Sequence, residues 1–301
     1  MVKLHGIFPP LTTPFAPDGS VSLAHLRDNI KRYNQTRLAG YVVNGSTSES
    51  VLLRWDEVYR IWETARDAAT QTKILIAGTG AESTAETIEH TNRAAAVGYA
   101  VALVRTPSFY KAAMSEDALA EHYLRVADAA RIPILVYSVP IFTHITVEAG
   151  LIQRVAKHPN IIGMKDSSGN VQGVAHIIAA APKEFQTLVG SASTLYESLE
   201  KGAAGAILAV ACAFPELCVE TYEASRAGES AKAHSLAQQL ISPAKMFGAQ
   251  YGIAGLKYAL DRLGYFGGAT RPPLLPVGET ACHEIEALLS NLTAQSAHLM
   301  Q

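Results

Sequence analysis

Residues 133–165 read PILVYSVPIFTHITVEAGLIQRVAKHPNIIGMK. Two runs, PILVY (133–137) and IIGMK (161–165), are apolar almost throughout, and each ends in a polar side chain. Between them Leu151, Ile152 and Val155 make the apolar stripe of a helix. A strand that is apolar rather than alternating fits a parallel sheet covered on both faces. The segment therefore reads strand, helix, strand.

The same unit recurs on either side. Before it stand IFPPLTT (7–13), YVVN (41–44), KILIA (73–77) and YAVALV (99–104); after it stand QTLV (186–189) and GAILA (205–209). Helical stretches lie between most of them. Ser83 with Glu86 makes a capping box ahead of an alanine-rich stretch that stops at Gly98. Ser115, followed by Glu116 and Asp117, opens the helix before the fifth run. Eight strands joined by helices predict an α/β fold, a (β/α)8 TIM barrel. An open doubly wound sheet fits less well, because no GxGxxG follows a strand. The barrel is expected over residues 1–225. PELCVETYEAS supplies its last helix, and ESAKAHSLAQQLI, GIAGLKYALDRLG and ETACHEIEALLSNL make a C-terminal helical extension of the same domain over 226–301.

Composition narrows the function classes. Of 301 residues 49% are hydrophobic and only 17% charged, with mean hydropathy +0.12. That excludes a disordered chain. Lys and Arg number 25 against 27 Asp and Glu, a net charge of −2, so the basic excess of a nucleic-acid binder is missing. No apolar run reaches the roughly 18 residues of a membrane span, and the start shows no secretory or transit leader. Cys212, Cys218 and Cys282 lack zinc spacing and are too few for a disulfide framework. Cys212 and Cys218 read as small buried hydrophobes, and the compartment as reducing and cytoplasmic. The ten histidines are scattered and the carboxylates unclustered, so no metal site is expected.

Barrel enzymes carry their chemistry at the C-terminal ends of strands. Lys165 ends IIGMK. An amine in an apolar barrel wall tends toward its neutral form and can condense with a carbonyl. Alternatively, Lys165 pairs with Asp166 at the strand exit. Tyr137 ends the preceding run, where a phenol beside an amine can shuttle protons; a core tyrosine with a satisfied hydroxyl is the other reading. GSTSES (45–50) follows the second strand and resembles an anion nest suited to a carboxylate, or an ordinary Gly/Ser turn. Arg105 supplies a cation to substrate or pairs outward with a helix.

These residues sit in motifs whose order and spacing resemble the dihydrodipicolinate synthase / N-acetylneuraminate lyase family of Schiff-base aldolases. The motifs are GIFPPLTTPF (6–15), GSTSES (45–50), AGTGAEST (77–84), TPSFYK (106–111), YSVP (137–140) and IIGMKDSSG (161–169). The resemblance implies a pyruvate-handling barrel enzyme with no cofactor beyond a covalent imine on Lys165. It implies that Tyr137 relays protons and that Ser46 and Thr47 hold the pyruvate carboxylate. Tyr110 matches a tyrosine that reaches the neighbouring subunit's site. Thr47 is matched as catalytic too, and Ser167 as substrate-binding. The family expectation is a homotetramer built as a dimer of dimers. Dihydrodipicolinate synthases usually carry an arginine two residues after YSVP; here that residue is Phe142, and His144 replaces a usual glycine. Phe142 and His144 are therefore candidates for contact with the second substrate. GIAGLKYALDRLGYFGG (252–268) is most similar to the 4-hydroxy-2-oxoglutarate aldolase branch. The expected reaction is cleavage or formation of a 2-oxo acid such as 4-hydroxy-2-oxoglutarate. The alternatives are dihydrodipicolinate synthesis, a 2-keto-3-deoxy sugar acid aldolase or dehydratase, and a silent protein that only binds a 2-oxo acid.

Overall fold

The computed structural model describes residues 2–299; the expected extension ends at residue 301, and residues 300–301 lie outside the described range. Eight parallel strands form one sheet in the order β1-β8-β7-β6-β5-β4-β3-β2. They are β1 (Gly6–Phe8), β2 (Gly40–Val43), β3 (Ile74–Gly78), β4 (Val101–Arg105), β5 (Ile134–Ser138), β6 (Ile161–Asp166), β7 (Gln186–Val189) and β8 (Gly205–Ile207). The barrel is closed between β1 and β2 by a thin seam. Ala39 N–H donates to the Ile7 carbonyl, Val42 N–H to that of Pro9, and Leu11 N–H to that of Val42. Regular pairing stops at Phe8, short of the run expected to residue 13, because Pro9 and Pro10 have no N–H to give a ladder.

Helices α1 (Leu23–Tyr33), α2 (Trp55–Ala68), α3 (Thr84–Val97), α4 (Glu116–Ala129), α5 (Pro140–Thr143), α6 (Ala149–Val155), α7 (Val171–Ala180), α8 (Leu195–Glu200) and α9 (Pro215–Arg226) connect or follow the strands. Local chemistry sets their ends. Ser83 Oγ accepts from Glu86 N–H, Ser115 Oγ from Ala118 N–H, and Gly98 takes φ 97° past the end of α3. Leu151, Ile152 and Val155 are the buried face of α6.

Strand side chains divide between two environments. Phe8, Val42, Ile76, Leu103, Leu135, Tyr137, Leu188 and Ile207 pack together in the barrel interior. Ala102, Val104, Ile134, Val136 and Met164 pack outward against α4 and α6. Cys212 and Cys218 are buried, and burial pushes both thiols up.

After α9 come α10 (Ser230–Lys245), a π-helical turn at Met246–Gln250, α11 (Gly252–Arg262) and α12 (Glu279–Leu299). Leu240, Phe247, Leu256 and Ile285 join one apolar cluster with Leu208 and Val210, which follow β8. The later helices thus pack onto the C-terminal end of the barrel, where the strand-end side chains open. No helix among the described residues is long and apolar enough to cross a membrane.

Candidate active site

Tyr137 and Lys165 are register partners on β5 and β6. Lys165 Nζ lies 3.3 Å from Tyr137 Oη, and Ser46 Oγ lies 3.3 Å from the same phenol oxygen. Lys165 is 5% exposed. The three groups form a hydrogen-bonded row on the floor of a cavity of about 790 Å³, which Thr47 and Ser167 also line.

Lys165 faces inward because β6 carries one extra residue. Ile134 pairs with Ile161, but the next residue, Leu135, pairs with Gly163. Ile162 packs in the barrel interior and Met164 outside it. Strict alternation from Ile162 would put Met164 inside and Lys165 outside. The bulge reverses the parity and aims the amine at the cavity. Asp166 then points the other way, and its Oδ1 accepts from Ser168 N–H and Oγ at 3.0 and 2.5 Å. Burial raises the Asp166 carboxyl, against the pull of the Ser168 hydrogen bonds. The reading of Lys165 as the ion-pair partner of Asp166 is therefore not the arrangement observed.

GSTSES is a short 3-10 turn, Ser46–Ser48, followed by Glu49 at φ 58°. Ser48 Oγ donates to the Leu11 carbonyl, and Thr13 Oγ1 donates to that of Ser48, tying the turn to the segment after β1. The Ser46 and Thr47 N–H groups begin the turn, where helical geometry leaves donors unused. Glu49 is sequestered: Oε1 accepts from Lys257 Nζ at 2.6 Å, with side-chain exposures of 0% and 1%. Its Oε2 accepts from Arg271 N–H, and the Arg271 guanidinium grips Glu57. This pair locks α11 to the nest. Sequence reading missed it, although a lysine inside the apolar stretch GIAGLKYAL was a signal.

Gly190, after β7, begins a Gly-Ser turn that by spacing alone either keeps the mouth open for ligand or simply turns the chain. A Cβ there would lie 1.9 Å from Ser167 Oγ and 3.0 Å from Lys165 Cε. Only glycine leaves room for both side chains.

The other expected positions divide. Phe142 lines the cavity and is 62% exposed. His144 is exposed, takes φ 53° at the end of α5, and is not among the lining residues. Tyr110 is 73% exposed and lies outside the cavity, edge-on to Phe109 at 5.1 Å. Arg105 donates to Glu82 at 2.6 Å and lines a smaller cavity of about 240 Å³ beside Asn44 and Ser46. Glu82 also accepts from Ser108 and Phe109 N–H, so this arginine is committed to a loop carboxylate rather than to a helix. Among the described residues no cluster of three or more His, Cys, Asp and Glu side chains could hold a metal.

A buried amine at a strand end of a (β/α)8 barrel, in contact with a phenol and a hydroxyl, defines the class: a carbon–carbon lyase working through a lysine Schiff base with pyruvate. The chain belongs to the Dihydrodipicolinate synthetase family, whose profile matches residues 3–292. It is 33% identical over 288 residues to a 4-hydroxy-tetrahydrodipicolinate synthase of Acidiphilium cryptum, covering 96% of this chain and 98% of that one. It is 34% identical over 299 residues to a probable mitochondrial 4-hydroxy-2-oxoglutarate aldolase of Emericella nidulans, covering 95% and 94%. The 4-hydroxy-tetrahydrodipicolinate synthase structure from Methylacidiphilum fumariolicum SolV superposes with a TM-score of 0.94 at 25% identity, covering 99% of each chain. The chemistry of the family is a covalent lysine–pyruvate imine, without an external cofactor.

Proposed function

We propose that this enzyme is a class I aldolase that cleaves or forms 4-hydroxy-2-oxoglutarate, with pyruvate held as an imine on Lys165. The observation that carries the reading is the row Lys165 Nζ, Tyr137 Oη, Ser46 Oγ on the cavity floor. Lys165 attacks the C2 carbonyl of the 2-oxo acid, and loss of water leaves the iminium. Ser46 and Thr47 hold the carboxylate through their N–H and hydroxyl groups. Tyr137 returns a proton to the departing oxygen of C2 and takes one from the C4 hydroxyl as the C3–C4 bond breaks. The bonding electrons pass into the iminium, giving an enamine that is reprotonated at C3. Hydrolysis then frees pyruvate and the amine. Ser167 supports the imine from the loop after β6.

The choice of substrate rests on the Emericella relative's name and on the 252–268 stretch. Phe142, in place of a carboxylate-gripping arginine, argues against condensation with aspartate semialdehyde. A second reading, condensation of pyruvate with aspartate semialdehyde, is favoured by the names of the bacterial relatives. Aldol cleavage or dehydration of 2-keto-3-deoxy sugar acids is a third.

We also read the enzyme as a cytoplasmic homo-oligomer, a tetramer built as a dimer of dimers. Its unpaired thiols and its exposed Phe109–Tyr110 pair support that reading. In that assembly Tyr110 completes the proton relay of the neighbouring site.

Incubation with pyruvate and borohydride, followed by intact mass, tests the imine. Wild type should gain one reduced pyruvate and Lys165→Ala none; an adduct that survives Lys165→Ala overturns the assignment. Pyruvate release from 4-hydroxy-2-oxoglutarate should exceed that from 2-keto-3-deoxy sugar acids. Efficient consumption of pyruvate with aspartate semialdehyde would select the second reading instead.

A further inference from the structure

The cavity is divided by polarity in a way that cleavage of a small dicarboxylic acid does not use. Its floor holds Lys165, Tyr137, Ser46, Thr47 and Ser167. Its outer wall is built by side chains from three separate parts of the chain. Ile141 and Phe142 come from α5, Ile241 and Phe247 from α10 and the π-helical turn, and Leu274 and Leu275 from the loop before α12.

Exposure makes the pattern unusual. Eight large apolar side chains are exposed among the described residues. Five of them, Ile141, Phe142, Ile241, Leu274 and Leu275, line this one cavity. Scattered surface hydrophobes need no explanation, but a group rimming a polar floor marks a place where apolar surface is meant to be covered. Among the described residues the lining includes no Asp, Glu or Arg, and its cations are Lys165 on the floor and the exposed Lys245 at the rim. Its volume of about 790 Å³ falls within the roughly 300–1,000 Å³ of pockets that hold drug-sized ligands. Pyruvate with glyoxylate leaves the outer part empty.

We infer a second activity of the same site, which rests on the imine reading above: aldol addition of pyruvate to aldehydes bearing an extended alkyl or aryl group. The Lys165–pyruvate iminium loses a C3 proton to Tyr137 and becomes an enamine. C3 then bonds to the aldehyde carbon, and the carbonyl π pair moves to oxygen. That oxygen takes the proton back from Tyr137, and water hydrolyses the iminium. Pyruvate and the aldehyde thus combine into one 4-hydroxy-2-oxo acid with no oxidant or reductant. The apolar substituent lies against Phe142 and Leu275, and the new hydroxyl stays on the polar floor.

The test is pyruvate consumption by the full-length enzyme with propanal, butanal, pentanal, hexanal and benzaldehyde, and with succinate semialdehyde as a charged counterpart of pentanal. A buried methylene is worth about 0.8 kcal/mol, so kcat/KM should rise up to about fourfold per added carbon. Pentanal should outperform succinate semialdehyde, and Leu275→Ser should lower the hexanal-to-propanal ratio. A flat or falling series, or preference for succinate semialdehyde, overturns the inference. If borohydride still traps the Lys165 adduct in that case, the aldolase reading stands alone. Failure to trap any adduct overturns both.

Discussion

At the scale of single residues, the candidate site brings one phenol against two partners. Tyr137 Oη touches the amine of Lys165 and the hydroxyl of Ser46, while its ring packs in the barrel interior. Tyr137→Phe keeps the ring and removes only the oxygen. The fold should survive with an unchanged melting temperature, and kcat should fall by about 100-fold or more, as loss of a positioned proton relay does. Stopped-flow trapping of the pyruvate adduct would measure it; near-wild-type imine formation would remove Tyr137 from the relay. Lys165, Tyr137 and Ser46 were legible in the sequence because each closes or follows an apolar run. Gly190 was visible only as part of a strand-end turn, since the reason it must be glycine is the space that Ser167 and Lys165 occupy across β6 and β7.

At the scale of elements, two polar contacts, one buried and one half-buried, hold helices in place. Lys257 on α11 answers Glu49 in the nest. Removing one partner of a buried pair strands the other charge, at a cost of about 3–5 kcal/mol. Lys257→Met should therefore lower the urea midpoint sharply, and Glu49→Gln combined with Lys257→Met should lower it less. Equal losses would show that the pair adds nothing beyond packing. The second contact joins α3 to α4, where Thr84 Oγ1 and His122 Nδ1 are 3.0 Å apart. Burial lowers His122 to about 4, with Glu82 opposing and Arg105 adding to the shift. Between about pH 6.5 and 4 the unfolded chain binds a proton there that the folded chain refuses, so stability falls as pH drops through that window. The loss from this group approaches about 3 kcal/mol at 1.36 per pH unit. Urea titrations at pH 7 and 4.5 should show a smaller drop for His122→Gln than for wild type; an equal drop would assign the acid sensitivity elsewhere.

At the scale of the whole molecule, we propose that the barrel over 1–225 and the extension over 226–301 fold as one unit. Leu240, Phe247, Leu256 and Ile285 share an apolar cluster with barrel residues, including Trp62. Fluorescence of Trp55 and Trp62, both on α2, should therefore unfold coincidentally with far-UV circular dichroism. Separate midpoints would divide the chain into two units. The assembly makes a second prediction at this scale. Lys165→Ala and Tyr110→Phe should each be nearly inactive alone, and mixed oligomers of the two should regain activity, because some sites combine an intact lysine with an intact neighbouring tyrosine. Mixtures that regain nothing would confine Tyr110 to its own subunit.

Eight apolar runs, the caps at Ser83 and Ser115 and the stop at Gly98 are local properties, each set by residues within a few positions, and they pointed to the barrel. The polar ends of those runs also located Tyr137 and Lys165. What the sequence left open was the direction of Lys165, pairing with Asp166 or entering the cavity. That was decided by a one-residue slip between β5 and β6, because side chains alternate from face to face and one extra residue exchanges inside for outside. The apolar outer wall was likewise decided only in three dimensions. It is assembled from α5, the end of α10 and a late loop, and contacts between segments so far apart in the chain exist only once the helices have packed onto the barrel.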